Sequence, residues 1–154
     1  MPRIPVVRAD SPELRALARE IWRTADAARP RPAGALRAER VRHKIEAAEL
    51  LLVAHYGTRP AGMLLAETYV ADGVPDPEVG HLSMVFVDPA VWGSRVGTTL
   101  VRDLQGRQWS QLSAWTRTDN RRAQRLLLAT GFVDSGARST LQDGDELRQL
   151  IWTR

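Results

Sequence analysis

The chain has 154 residues, 44% of them hydrophobic, which suits one compact domain with a sizeable core and argues against two independent ones. Lys and Arg total 22 against 18 Asp and Glu, and Lys44 is the only lysine, so the formal charge of +4 is carried by arginine. So mild an excess admits a phosphate-bearing partner without arguing for nucleic acid, and the lack of cysteine excludes disulfides, thiolate metal sites and a cysteine nucleophile.

Ile4 to Arg8 reads as a short first strand. Ser11 then caps a helix with Pro12 at its first position, and Leu14, Leu17, Ala18, Ile21 and Ala25 form its buried stripe. Two prolines and a glycine between Arg29 and Gly34 exclude regular structure there. A second helix is predicted from Ala35 to about Ala48, with a thin apolar side of Ala38, Val41 and Ile45. The arginines from Arg29 to Arg42, interleaved with Glu39 and Glu46, read as a solvated helix surface rather than an RNA- or acid-binding face.

Leu50 to Tyr56 and Gly62 to Val70 are predicted strands joined by a turn at Gly57 to Pro60. A polar loop from Ala71 to Pro77 leads to a third long strand, Val79 to Val87, which Asp88-Pro89 terminates. A helix follows with Val96, Leu100, Val101 and Leu104 on one face, then a short strand, Leu112 to Thr116. Ala123, Leu126, Leu127 and Thr130 give the stripe of a helix from Asn120 to Thr130, closed by Gly131. Phe132-Val133 and Glu146 to Trp152 are the last strands, separated by Asp143-Gly144. The order gives a mixed α/β domain spanning residues 1–154 around one sheet, with no repeat and no low-complexity tract.

No apolar run approaches the roughly 18 residues of a membrane span, and Met1 to Asp10 lacks the apolar stretch of a signal peptide, so a soluble, cytoplasmic protein without a membrane partner is expected. His43, His55 and His81 have no metal-ligand spacing, and no metal site is expected.

The chemistry concentrates after the third long strand, where Trp92-Gly93-Ser94-Arg95-Val96-Gly97-Thr98 opens into a helix. Backbone N–H groups at a helix start lack intrahelical partners, and the macrodipole makes that end positive, so a pyrophosphate fits. An ordinary turn with glycine at a positive φ accounts for the glycines equally well.

Val85-Phe86-Val87-Asp88-Pro89, the loop from Trp92 to Thr98, Asn120-x-x-Ala123 and Gly131-Phe132 together resemble the GNAT superfamily of acyl-CoA-dependent N-acyltransferases. The likeness is close from Val79 to about Gly136. It implies a central mixed, mostly antiparallel sheet of six to seven strands flanked by about four helices, with a splayed strand pair forming the acetyl-CoA cleft. By the same resemblance the amides of Gly93 to Thr98 hold the coenzyme A pyrophosphate, Val85, Phe86 and Val87 pair their backbone with the pantetheine arm, and Asn120 hydrogen-bonds near that arm. Asparagine is also a favoured helix N-cap on local grounds.

The chain departs from the family pattern at three places. The loop pattern Gln/Arg-x-x-Gly-x-Gly/Ala falls on Trp92, Arg95 and Gly97, so a tryptophan replaces the polar residue and an arginine the first glycine. A Cβ at residue 95 implies a shifted loop, which the guanidinium offsets if it pairs with phosphate. Leu127 stands where many relatives carry the tyrosine that protonates the coenzyme A thiolate.

Acyl transfer to an amine needs a proton acceptor, because an alkylammonium with a pKa of about 10 is not nucleophilic. His81 lies where histone-acetylating relatives carry a glutamate base, and imidazole suits the task. A strand-end histidine with no catalytic task fits its position as well. Glu67 and Tyr69 on the neighbouring strand, and Glu78, are further candidates on spacing, and Trp115 is placed to wall an acceptor pocket. The resemblance thus implies transfer of an acetyl group from acetyl-CoA to a primary amine, with a small-molecule acceptor preferred. A protein N-terminal or lysine acetyltransferase and a non-catalytic coenzyme A-binding sensor or partner module are the rivals. Oligomeric state stays open, many relatives being homodimers.

Overall fold

The computed structural model describes residues 2–154. Seven strands, β1 (Val6–Arg8), β2 (Leu50–Tyr56), β3 (Arg59–Ala71), β4 (Val74–Val87), β5 (Gln111–Arg117), β6 (Val133–Thr140) and β7 (Glu146–Thr153), form one sheet in the order β1-β2-β3-β4-β5-β7-β6. Only β4 and β5 run parallel. Helices α1 (Pro12–Ala27) and α2 (Ala35–Glu46) cover one face with Ile21, Trp22, Val41 and Ile45 against Leu51, Val53, Met63 and Leu65. On the other face lies α3 (Val96–Gln105), and α4 (Arg121–Ala129) adds Leu127 to the same core. Because both faces of β2 are covered, its sequence is a continuous apolar run instead of an alternating one.

The expected helix starts hold. Ser11 Oγ accepts from the Leu14 amide at 3.1 Å, with Pro12 behind it, and Asn120 Oδ1 accepts from Ala123 at 3.2 Å. Two segments differ from the sequence reading, and the first is Ala71 to Pro77, not a loop but the tip of a β3–β4 hairpin. Asp72 and Gly73 turn it with φ of 52° and 76°, both left-handed, as a two-residue hairpin turn requires. Pro75 and Pro77 are tolerated because this outer part of β4 pairs with β3 alone and its other edge has no ladder to supply. β6 likewise runs past Val133 to Thr140, all of it exposed, so it carries no apolar alternation by which to be read.

Two features of β4 prepare the site. Leu82 pairs with Ala66 while Met84 pairs with Leu65, leaving Ser83 as a bulge. The extra residue resets the alternation: Leu82 and Val85 pack with the α3 side, Met84 and Phe86 with the α1 side. The parallel β4–β5 pairing, moreover, spans only Val79 to His81 against Gln111 to Ser113. Beyond His81 the two strands part.

Candidate active site

The opening between the separated strands is a cleft of about 940 Å³, bounded by Val85 to Val87, the loop before α3, the start of α4 and the α1–α2 connection. Beyond His81 the β5-facing edge of β4 has no strand partner, so Val85, Phe86 and Val87 present backbone groups to the cleft. At the Val87 end one acceptor is already used: the Trp92 indole Nε1 donates to the Val87 carbonyl at 3.0 Å and ties the loop to the strand.

The loop keeps the left-handed turn that glycine would give. Arg95 has φ 72° and ψ 13° as the residue capping α3, so the arginine accepts the strain of a left-handed backbone. The first intrahelical bond is from Thr99 to the Arg95 carbonyl at 2.9 Å, and the amides of Val96, Gly97 and Thr98 have no protein partner among the described residues. Those three donors at a positive helix end are what an anionic group needs. Gly97 also packs closely: a Cβ there would lie 3.2 Å from Leu126 Cδ2 and 3.5 Å from Val87 Cγ2, so a larger residue would make Leu126 give way where α3 meets α4.

Trp92 is 44% exposed, and the Arg122 guanidinium stacks on it with Cζ 3.5 Å from the ring centroid. Arg95, Arg121, Arg122 and Arg125 all line the cleft, and none has a carboxylate partner among the described residues. Where the loop has lost its polar first residue, α4 thus brings a cation to the same spot. No sequence rule pairs residues 92 and 122. Leu127, by contrast, is 2% exposed within the core and does not line the cleft, so that position supplies no hydroxyl.

His81 sits where β4 and β5 separate, opposite Leu82 in the alternation and paired across the ladder with Glu67. A second cavity of about 830 Å³ is lined by His81, Glu67, Tyr69, Glu49 and Trp115 among others, so four of the residues singled out in the sequence share one wall. Glu78 is not among them; it faces the Ser110 hydroxyl at 3.1 Å. Burial lowers the His81 pKa below its usual 6.5, the Glu67 carboxylate opposes that shift, and Lys44 adds to it. Its buried Nδ1 has no hydrogen-bond partner. A neutral imidazole can accept a proton.

Lys44 on α2 donates to Ser83 Oγ at 2.6 Å and to Glu67 Oε1 at 3.2 Å. Ser83, two residues beyond His81, lies on the same face, and with it the lysine holds Glu67 beside His81. Sequence reasoning missed this role because residues 44, 67 and 83 meet only in the fold. Glu49 is engaged elsewhere, accepting from the Thr68 amide at 2.9 Å and its hydroxyl at 2.8 Å. The arginines from Arg29 to Arg42 are exposed or half-buried at the surface, as expected; Arg42 pairs with Glu39 and Glu46, and Arg29, Arg31 and Arg37 border the open cleft.

A mixed sheet split beside a parallel pair, with free helix-start amides at one side of the gap and a titratable pair at the other, defines a protein of the coenzyme A-dependent acyltransferase class. The model of the acetyltransferase (GNAT) family matches residues 12–132, and the chain belongs to that family. Acetyl-CoA is therefore its acyl donor. Among curated proteins no sequence matches. Solved structures give the same fold. A GNAT-family acetyltransferase from Bacillus cereus superposes with a TM-score of 0.73 at 19% identity, over 99% of this chain and 98% of that one. The yncA structure from Salmonella typhimurium, described as an acetyltransferase with its cofactor acetyl-CoA, gives 0.69 at 18%, over 97% and 93%. The ribosomal-protein-alanine N-acetyltransferase of Escherichia coli gives 0.71 at 15%, over 98% and 94%. Among the described residues there is no acidic or histidine cluster fit for a metal ion and no helix long and apolar enough to cross a membrane.

Proposed function

We propose that the chain acetylates a primary amine of a small molecule directly, without a covalent enzyme intermediate. The observation that supports this reading is the parting of β4 and β5 immediately after His81, with the His81–Glu67 pair where the strands separate and Val85 to Val87 further along the freed edge. Acetyl-CoA supplies the activated acetyl group as a thioester. The chain's own residues bind and orient. The Val96, Gly97 and Thr98 amides, with Arg95 and Arg122, hold the pyrophosphate, while the free edge of Val85 to Val87 and the Asn120 side chain hold the arm.

On the acceptor side, Glu67 attracts the ammonium form and the His81 imidazole accepts its proton, directly or through a water, so that the amine reaches the gap as a nucleophile. A new C–N bond then replaces the C–S bond, the thiolate leaves, and the nitrogen gives up its second proton to water or to the departing sulfur. With Leu127 buried, no side chain from that position protonates it, and a coenzyme A thiolate is stable enough to leave unaided or to be protonated by water. The same leucine favours a second reading, a coenzyme A-binding module without turnover.

Calorimetric titration with acetyl-CoA, with dephospho-CoA and ATP as controls, followed by thiol detection over an amine library, tests both readings. Micromolar binding and thiol release with a small amine are expected. Tight binding without release for any amine overturns the transfer reading in favour of the module, and no binding up to millimolar ligand overturns both.

A further inference from the structure

The two cavities carry opposite charge. The larger is lined by eight arginines against Asp119 and Asp143, and the smaller, which holds His81, by Glu49 and Glu67 and by no lysine or arginine. Of those two carboxylates Glu67 is already paired, with Lys44 reaching it from α2 at 3.2 Å. Glu49 has no cation within ion-pair distance among the described residues. Arg8 donates to its backbone carbonyl at 3.1 Å, but the charge of Arg8 is paired with Asp10, also at 3.1 Å.

Glu49 is nevertheless held in a fixed pose. Its Oε1 accepts from the Thr68 amide at 2.9 Å and its Oε2 from the Thr68 hydroxyl at 2.8 Å, both neutral donors that leave the charge uncompensated and lone pairs free. Its place relative to the base follows from the register. Leu50 pairs with Ala66 and Glu67 with His81, so Glu49, one residue ahead of β2, lies level with Glu67 and His81 on three neighbouring strands. Two strand spacings put Glu49 about 10 Å from His81 at the backbone, a distance that a chain of several methylenes spans. Tyr69 and Trp115 line the same cavity and give the methylenes an apolar surface.

We propose that the acceptor is a dication, an alkyl diamine or polyamine in type, and that Glu49 is the specificity residue that binds the ammonium not being acetylated. This rests on the acetyl-transfer reading above. With the reacting nitrogen at Glu67 and His81, the second ammonium reaches the one carboxylate of the cavity that lacks a cation. A carboxylate at that end of the acceptor would instead meet two like charges and no cation in the lining.

Thiol release is compared for three acceptors of one chain length, 1,5-diaminopentane, pentylamine and 5-aminopentanoate, with spermidine as a longer dication. The expected result is a KM about threefold to fivefold lower for the diamine than for pentylamine, the range of a partly exposed ion pair, and higher again for the aminopentanoate. Glu49→Gln keeps an oxygen for Thr68 and removes the charge, so it should bring the diamine and pentylamine KM values together, the change falling on KM rather than kcat. Acetyl-CoA affinity and melting temperature of the variant report whether the fold and donor site are intact. In the wild type the preference should also shrink as salt rises, a measurement that needs no variant. Preference for pentylamine or 5-aminopentanoate, a preference indifferent to salt, or one that survives in folded Glu49→Gln overturns the proposal. Should no amine release thiol, titration of the same acceptors into the coenzyme A-loaded protein separates the two failures. Tighter, Glu49-dependent binding of the diamine upholds the dication site and overturns transfer, and equal or no binding overturns both.

Discussion

Arg95→Gly should make the protein more stable while weakening its hold on acetyl-CoA. Arg95 sits at φ 72° and ψ 13°, where an L side chain brings Cβ close to the backbone at a cost of about 1–2 kcal/mol. Glycine removes that cost but gives the unfolded chain more freedom, worth about 0.5–1 kcal/mol against folding. The net gain is about 0.5–1 kcal/mol, which for a domain of this size raises the melting temperature by about 1–4 °C. The side chain makes no cap hydrogen bond and has no acidic partner among the described residues, so no native contact is lost to offset this. The affinity should move the other way, falling several-fold at low salt and less at high salt, because a cation is removed beside the helix-start amides. Thermal unfolding and calorimetric titration of both proteins check this. A melting temperature that falls would refute the strain argument, and an unchanged affinity would show that Arg95 points away from the phosphates.

Three further outcomes follow from the same geometry. Arg122→Ala leaves the Trp92 face bare, so acetyl-CoA affinity should drop several-fold and tryptophan emission should change, both by titration; an unchanged affinity would place Arg122 outside the donor site. Gly80→Ala puts a Cβ 2.5 Å from Trp109 Cδ2 and 2.9 Å from Leu112 Cδ2 inside the core, so denaturant unfolding should show a loss of about 1–3 kcal/mol, and a loss below that would mean Trp109 can move aside. Because burial lowers the His81 pKa below 6.5, the unfolded chain takes up a proton where the folded one does not. His81 therefore costs no stability above about pH 6.5, and stability is lost as pH falls below it towards the folded pKa. Melting temperatures from pH 8 to pH 5 should fall more steeply for the wild type than for His81→Gln, and parallel curves would contradict the burial.

Local signals made much of this molecule readable. Ser11-Pro12 and Asn120 cap helices wherever they occur, because the capping bond is made within a few residues of the cap. The strand Leu50 to Tyr56 reads directly from its run of apolar residues, and the turn ahead of α3 from its glycines and its opening into a helix. Element order and the resemblance carried by those motifs sufficed to suggest the family. The Ala71 to Pro77 hairpin escaped because prolines count against a strand unless one edge is known to be free, and that is known only once β5 is seen to stop pairing at His81.

What the sequence could not supply are the contacts between distant segments. Lys44 meets Glu67 and Ser83, Arg122 meets Trp92, and Glu49 is left without a cation while Glu67 in the same cavity has one. Residue 49 reads as one more acid after a charged helix, and nothing in its neighbours in the chain distinguishes it from Glu46, which does find Arg42 one turn away. Periodicity fixes which residues share a helix face or a strand side, because it is set by the backbone repeat. Which charges are compensated depends on how sheet, helices and loops pack, and only the tertiary structure decided that.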